Sequence, residues 1–207
     1  MTTATPEKTE AADTQQKVQK LRDLYANAPE LARTALENVL RELKQRSQTS
    51  APPAASAGRI GMRQGKVSEL TMIASFAPGG AQRLRALLQL LKGNFDGANK
   101  VGTVHDMRFI FLDNDTKLLF ATAYDGDWDP YIDDFATKIA DDMDVLFSAC
   151  EGWPGIHSPA VKDWIAKHQI PAEGWYVAAP NLTVPETRRL ERVGKAVDEF
   201  LDKIGGA

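Results

Sequence analysis

Residues 103–129, TVHDMRFIFLDNDTKLLFATAYDGDWD, constrain the fold more than any other stretch. Bulky side chains alternate with small or polar ones over 103–112 and again over 117–124, with Asn114 and Asp115 between the two runs. Two alternating runs around a short polar turn predict an antiparallel hairpin. A loop of even length sets His105 opposite Tyr124, Met107 opposite Thr122, Phe109 opposite Phe120 and Phe111 opposite Leu118. The reverse face then pairs Asp106 with Ala123, Arg108 with Ala121 and Ile110 with Leu119. A loop of odd length would change every partner.

These two faces are chemically unlike. The bulky one suits packing under helices. The other sets an arginine and an acid among small side chains, and a buried guanidinium demands an acceptor. One reading of it is a ligand cavity lined by Arg108, Asp106 and Asp125. The other is a solvated Arg108–Asp106 pair on an edge strand, a device against sheet-to-sheet aggregation. His105, beside the phenol of Tyr124, fits a general base, a haem ligand or a satisfied core histidine. As catalytic candidates, His105 and Tyr124 form a proton-transfer pair.

The remaining pattern supplies partners for the hairpin. Residues 67–76 read as a strand closed by Ala77-Pro78-Gly79-Gly80, and 81–92 as a helix with Leu84, Leu87, Leu88 and Leu91 on one side. A helix is predicted to begin where Asp129 caps and Pro130 fills the first turn. Its apolar positions run through Ile132, Phe135 and Ile139 to Cys150. A short helix follows Ser158-Pro159, a short strand is predicted over 175–179, and Thr183-Val184-Pro185-Glu186 is a capping box opening a last helix. The order β-α-β-β-α-β predicts an α+β, ferredoxin-like antiparallel sheet with additional helices. Its second face is left needing cover from an N-terminal arm, the C-terminal helix or a second subunit.

Upstream, residues 1–13 are polar and expected to be disordered. Residues 14–46 read as a helical arm, broken near Asn27-Ala28-Pro29, with Leu36, Val39, Leu40 and Leu43 on one stripe. So narrow a stripe needs a partner surface. Residues 47–58, SQTSAPPAASAG, read as a linker, and 59–207 as the α+β domain.

Several functions are disfavoured. A net charge of −3, from 25 basic and 28 acidic side chains, exerts no global pull on nucleic acid. No apolar run reaches the roughly 18 residues of a membrane helix, and the polar start lacks a signal-peptide core. A cytoplasmic protein is expected, with no nucleic-acid or membrane partner. Asn181-Leu182-Thr183 is then an accidental glycosylation sequon. Cys150 is the single cysteine, so neither an intrachain disulfide nor a cysteine cluster can form. Asp125, Asp127 and Asp129 begin like an EF-hand loop. Pro130 stands where that loop needs glycine, and Ala136 where it needs glutamate, so no metal site is expected. Pro78-Gly79-Gly80 lacks the lysine and spacing of a phosphate loop and reads as a turn. His157 sits in a loop before a helix start, and His168 near a helix end.

The string His105-Asp106-Met107-Arg108-Phe109, then Tyr124-Asp125-Gly126-Asp127-Trp128, Asp133-Asp134-Phe135 and Glu151-Gly152-Trp153-Pro154, resembles a bacterial family. That family carries an H-x-x-R strand and a YDGxW…DDF helix start, and some of its members occur in larger peroxidase-associated proteins. The element order is also similar to dimeric α+β-barrel proteins, in which two ferredoxin-like sheets enclose a cavity. That resemblance implies a homo-oligomer that binds haem or a small ligand, with peroxidase- or monooxygenase-like chemistry. The proximal-histidine and distal Asp/Arg motifs of the haem enzymes have no counterpart at matching positions, so none of those roles passes to residues here. The alternative expectation is a non-enzymatic oligomerising protein whose arm, 14–46, docks to a partner.

Overall fold

The computed structural model describes residues 6–46 and 55–205, which belong to two compact units, Met1–Pro52 and Pro53–Ala207. The first unit holds helices α1 (Pro6–Leu24) and α2 (Glu30–Arg46). Pro29 sits at the break, and its carbonyl accepts the first amides of α2, from Ala32 and Arg33. A two-pronged Arg22–Glu37 hydrogen bond joins the helices, at 2.8 and 2.9 Å. Helix α1 begins inside the stretch that composition reads as disordered, and residues 1–5 lie outside the described ones.

The second unit is α+β, with a five-stranded sheet in which every pair is antiparallel. Its strands are β1 (Ala55–Ser56), β2 (Met62–Gln64), β3 (Val67–Ser75), β4 (Val104–Leu112) and β5 (Lys117–Asp125), ordered β1-β2-β3-β5-β4. The helices are α3 (Gly80–Leu91), α4 (Asp96–Val101), α5 (Trp128–Lys138), α6 (Ala140–Phe147), α7 (Val161–His168) and α8 (Val184–Gly205). Among the described residues no helix is long and apolar enough to cross a membrane.

The sheet departs from the sequence expectation at one edge. Residues 175–179 form no strand. The free edge of β3 is occupied instead by β2 and by a single antiparallel bridge from Gln169 to Met72. Residues 55–58, read as linker, contribute β1 to the same edge; residues 47–54 lie outside the described ones.

One face of the sheet carries the core. Leu70, Met72, Leu118, Phe120, Tyr124 and, from α5, Trp128 are all buried. Each fully buried residue of this size contributes roughly 1.5–3 kcal/mol. The Pro78-Gly79-Gly80 turn fits this packing: a Cβ on Gly80 would stand 2.0 Å from the carbonyl oxygen of Ala149. Only glycine lets the start of α3 pass that close to the backbone. Helix α5 starts earlier than predicted, at Trp128, with Asp127 as its N-cap. Burial of the whole indole of Trp128 draws the first turn in. The capping box at 183–186 forms as read: Glu186 accepts from the Thr183 amide at 2.8 Å, and the Glu186 amide donates to Thr183 Oγ1 at 3.3 Å.

Candidate functional site

The hairpin register matches the even-loop pairing from Asp106–Ala123 to Phe111–Leu118, including Arg108–Ala121 and Phe109–Phe120. The first predicted pair does not form. A β-bulge between Val104 and Asp106 puts Val104, not His105, opposite Tyr124. The bulge turns the imidazole toward the end of β5, where Nε2 lies 2.7 Å from Asp125 Oδ1. The other oxygen of Asp125 accepts the Val184 amide at 2.9 Å, at the start of α8. Asp125 thus ties β4, β5 and α8 together.

Tyr124 lies in the core, stacked on Tyr131. Burial pushes both phenols above the ordinary tyrosine value. Arg108 and Asp106 are exposed on β4, an edge strand, with Nε 3.4 Å from Oδ1. The five sequence candidates are therefore not one constellation. His105 meets Asp125, Arg108 meets Asp106, and Tyr124 meets Tyr131.

Other candidates have structural partners. Lys162 lies between Asp129 (3.0 Å) and Asp133 (2.8 Å), Asp127 pairs with Arg63, and Asp134 with Lys138. His168 Nδ1 bonds the Trp164 carbonyl at 2.8 Å. His157 is exposed. Burial pushes the Cys150 thiol up to about 12, so it stays protonated and unreactive near neutrality. The depression beside Gly79 is lined by Asp115 and Glu151, the wrong charge for an anion cradle.

A cavity lies on the opposite side of the hairpin from Arg108. It measures about 230 Å³ and sits between α3, α4, α6 and the bulky face of β4 and β5. Leu87, Met107, Phe109, Phe120 and Leu146 are among its apolar walls, and Asn94, Asp96, Lys100 and Asp142 supply its polar groups. Helix α4 forms part of the enclosure, with Phe95 stacked on Phe109 at 6.0 Å between centroids. No sequence signal predicts α4: it is six residues long, DGANKV, with a glycine inside.

Haem does not fit this cavity. None of the three histidines lines it, and its volume falls below the ~300–1,000 Å³ of cofactor-sized sites. What the walls offer is a small, largely apolar container with polar groups on and beside α4. No protein-family model, curated protein or solved structure matches this chain.

Proposed function

We propose that the protein binds a small, largely apolar molecule in the cavity between α3, α4, α6 and β4–β5. One observation carries this reading: a cavity of about 230 Å³ with aromatic and aliphatic walls and a few polar side chains. An apolar protein cavity of ~150 Å³ already takes up benzene, so a substituted ring fits the space here. The redox association implied by the sequence resemblance would then belong to the ligand, because Cys150 is buried and protonated.

Thermal-shift and NMR titrations with single-ring aromatics test the reading. A binder should raise the melting temperature by the mass-action amount and shift the Met107 and Leu146 methyl signals. Met107→Trp, which fills the space, should abolish both effects while the fold persists. A flat response across the panel would overturn the proposal.

A second reading is an oligomerising interaction protein. It rests on the apolar stripe of α8, where Leu190, Val193, Val197, Phe200, Leu201 and Ile204 are 47–60% exposed, and on Val39 and Leu43 of α2, which are also exposed. A pair of copies with apposed sheets, as in dimeric α+β barrels, is one form it takes. An arm docked to another protein is a second form. Light scattering of the full chain, and of variants lacking 1–46 or 188–207, separates these. A monomer in every case removes the oligomer reading.

A further inference from the structure

The cavity carries among its polar groups a charge pattern that narrows the ligand class, an inference that rests on the cavity reading above. Three of its lining residues have acidic or basic side chains: Asp96, Lys100 and Asp142. Many charged side chains of the surrounding domain are paired. Arg59, Lys66, Arg85, Lys117, Lys138 and Lys162 each meet a carboxylate. Asp96, Lys100 and Asp142 make no such pair among the described residues. The lining thus holds two acidic side chains and one basic one.

The placement of Asp142 is specific. Its carboxylate lies against Gly97 of α4: a Cβ added there would come within 3.0 Å of Oδ2 and 3.6 Å of Cγ. Gly97 also lines the cavity. Any other residue at 97 would push the carboxylate away, so the glycine and the acid together set an anionic group over the apolar chamber. Asp96, the neighbour of Gly97 in sequence, brings the second carboxylate from the same helix.

We propose that the ligand is a monoamine on an apolar body, its ring or chain held among Met107, Phe109 and Phe120 and its ammonium received by Asp142 and Asp96. An ammonium brings opposite charge to two carboxylates and replaces lost water with charge-assisted hydrogen bonds. A carboxylate ligand would meet two like charges for one opposite. Lys100 sets the limit in the other direction, because a second ammonium on the ligand would face it. The predicted class is thus a singly charged arylalkylamine or alkylamine.

Three probes of matched size decide it: phenethylamine, its uncharged isostere propylbenzene, and phenylacetate. Dissociation constants come from NMR titration of the full chain at neutral pH and low salt. Phenethylamine is expected to bind at least about tenfold more tightly than propylbenzene, which corresponds to about 1.4 kcal/mol. Asp142→Asn should cancel that advantage, so that phenethylamine binds no more tightly than propylbenzene. Asp142 is exposed, so the variant should fold, and Asp96→Asn gives a second reading of the same effect. If propylbenzene binds and phenethylamine binds no better, or phenylacetate binds best, the amine inference is overturned while the cavity reading stands. Should no probe bind, both fail together.

Discussion

Tyr124 and Tyr131 stack face to face, with ring centroids 3.7 Å apart and planes 4° from parallel, yet their hydroxyls have different fates. Thr122 Oγ1 donates to the Asp106 carbonyl at 2.9 Å and lies 2.9 Å from Tyr131 Oη. A hydroxyl has one proton, so Tyr131 is the donor in that second contact. No hydrogen bond of acceptable geometry reaches the buried Tyr124 hydroxyl. Ser68, beside it, gives its own proton to the Gly126 carbonyl at 2.6 Å.

The asymmetry predicts opposite outcomes for one chemical change. Tyr124→Phe removes a desolvated, unsatisfied oxygen and should be neutral or stabilising by up to about 1 kcal/mol. Tyr131→Phe removes a made hydrogen bond and should cost about 1 kcal/mol. Urea unfolding of the two variants measures the difference. Equal losses would mean that Tyr124 has a partner after all.

Acid should loosen the start of α8. Lys66 Nζ, 2.7 and 2.9 Å from the Glu186 oxygens, and the two bonds from Thr183 hold this carboxyl down at about 2, from an ordinary 4.5. Its folded value lies below its unfolded one, so its contribution is complete above about 4.5 and disappears as pH falls toward about 2. Amide protection factors at residues 186–190, corrected for intrinsic exchange, should fall across that window. In Glu186→Gln, those protection factors should be low throughout and independent of pH there.

Gln169 satisfies a buried group and a half-buried one at once. Its Oε1 accepts the Trp128 indole N–H at 2.8 Å, and its Nε2 donates to the Ile60 carbonyl at 3.1 Å. Gln169→Leu fills the space but leaves both groups without partners. A buried unsatisfied group costs about 1–3 kcal/mol and a half-buried one less, so a total loss of about 2–4 kcal/mol is expected from the denaturation midpoint. A loss under half of that would mean water replaces the amide.

Two glycines should fail for different reasons. Gly80→Ala meets the Ala149 carbonyl oxygen at 2.0 Å and must displace backbone, at a cost of about 3 kcal/mol. Gly126→Ala meets nothing within 4 Å but must hold φ at +85°, which costs about 1 kcal/mol. Thermal unfolding of both variants should rank them in that order.

The strands were legible where side-chain period decides structure. Phe109 and Phe111 alternate with Arg108 and Ile110, and this pattern, joined to a loop of even length, gives the register of six consecutive pairs. The bulge at His105 was not legible, because one surplus residue leaves the hydrophobic pattern of both strands intact. Residues 175–179 read as strand because Trp175, Tyr176 and Val177 favour extended backbone. Their expected edge of β3 is already occupied by β2 and Gln169, a competition no local window reveals. The cavity was hidden for a related reason: its walls come from α3, α4, β4, β5 and α6, and α4 has too few residues to show a period.

The bulge decides what kind of chamber this is. A strand running regularly back from Met107 would aim the side chain at 105 into the cavity and the one at 104 away from it. Rephasing the chain by one residue reverses that choice. Val104 joins Met107 and Phe109 on the wall, and the imidazole leaves for Asp125. Strand β4 therefore lines the chamber with hydrocarbon and sulfur and keeps the imidazole of His105 out of it. On the proposed reading, a guest would meet this wall through shape and apolar contact alone.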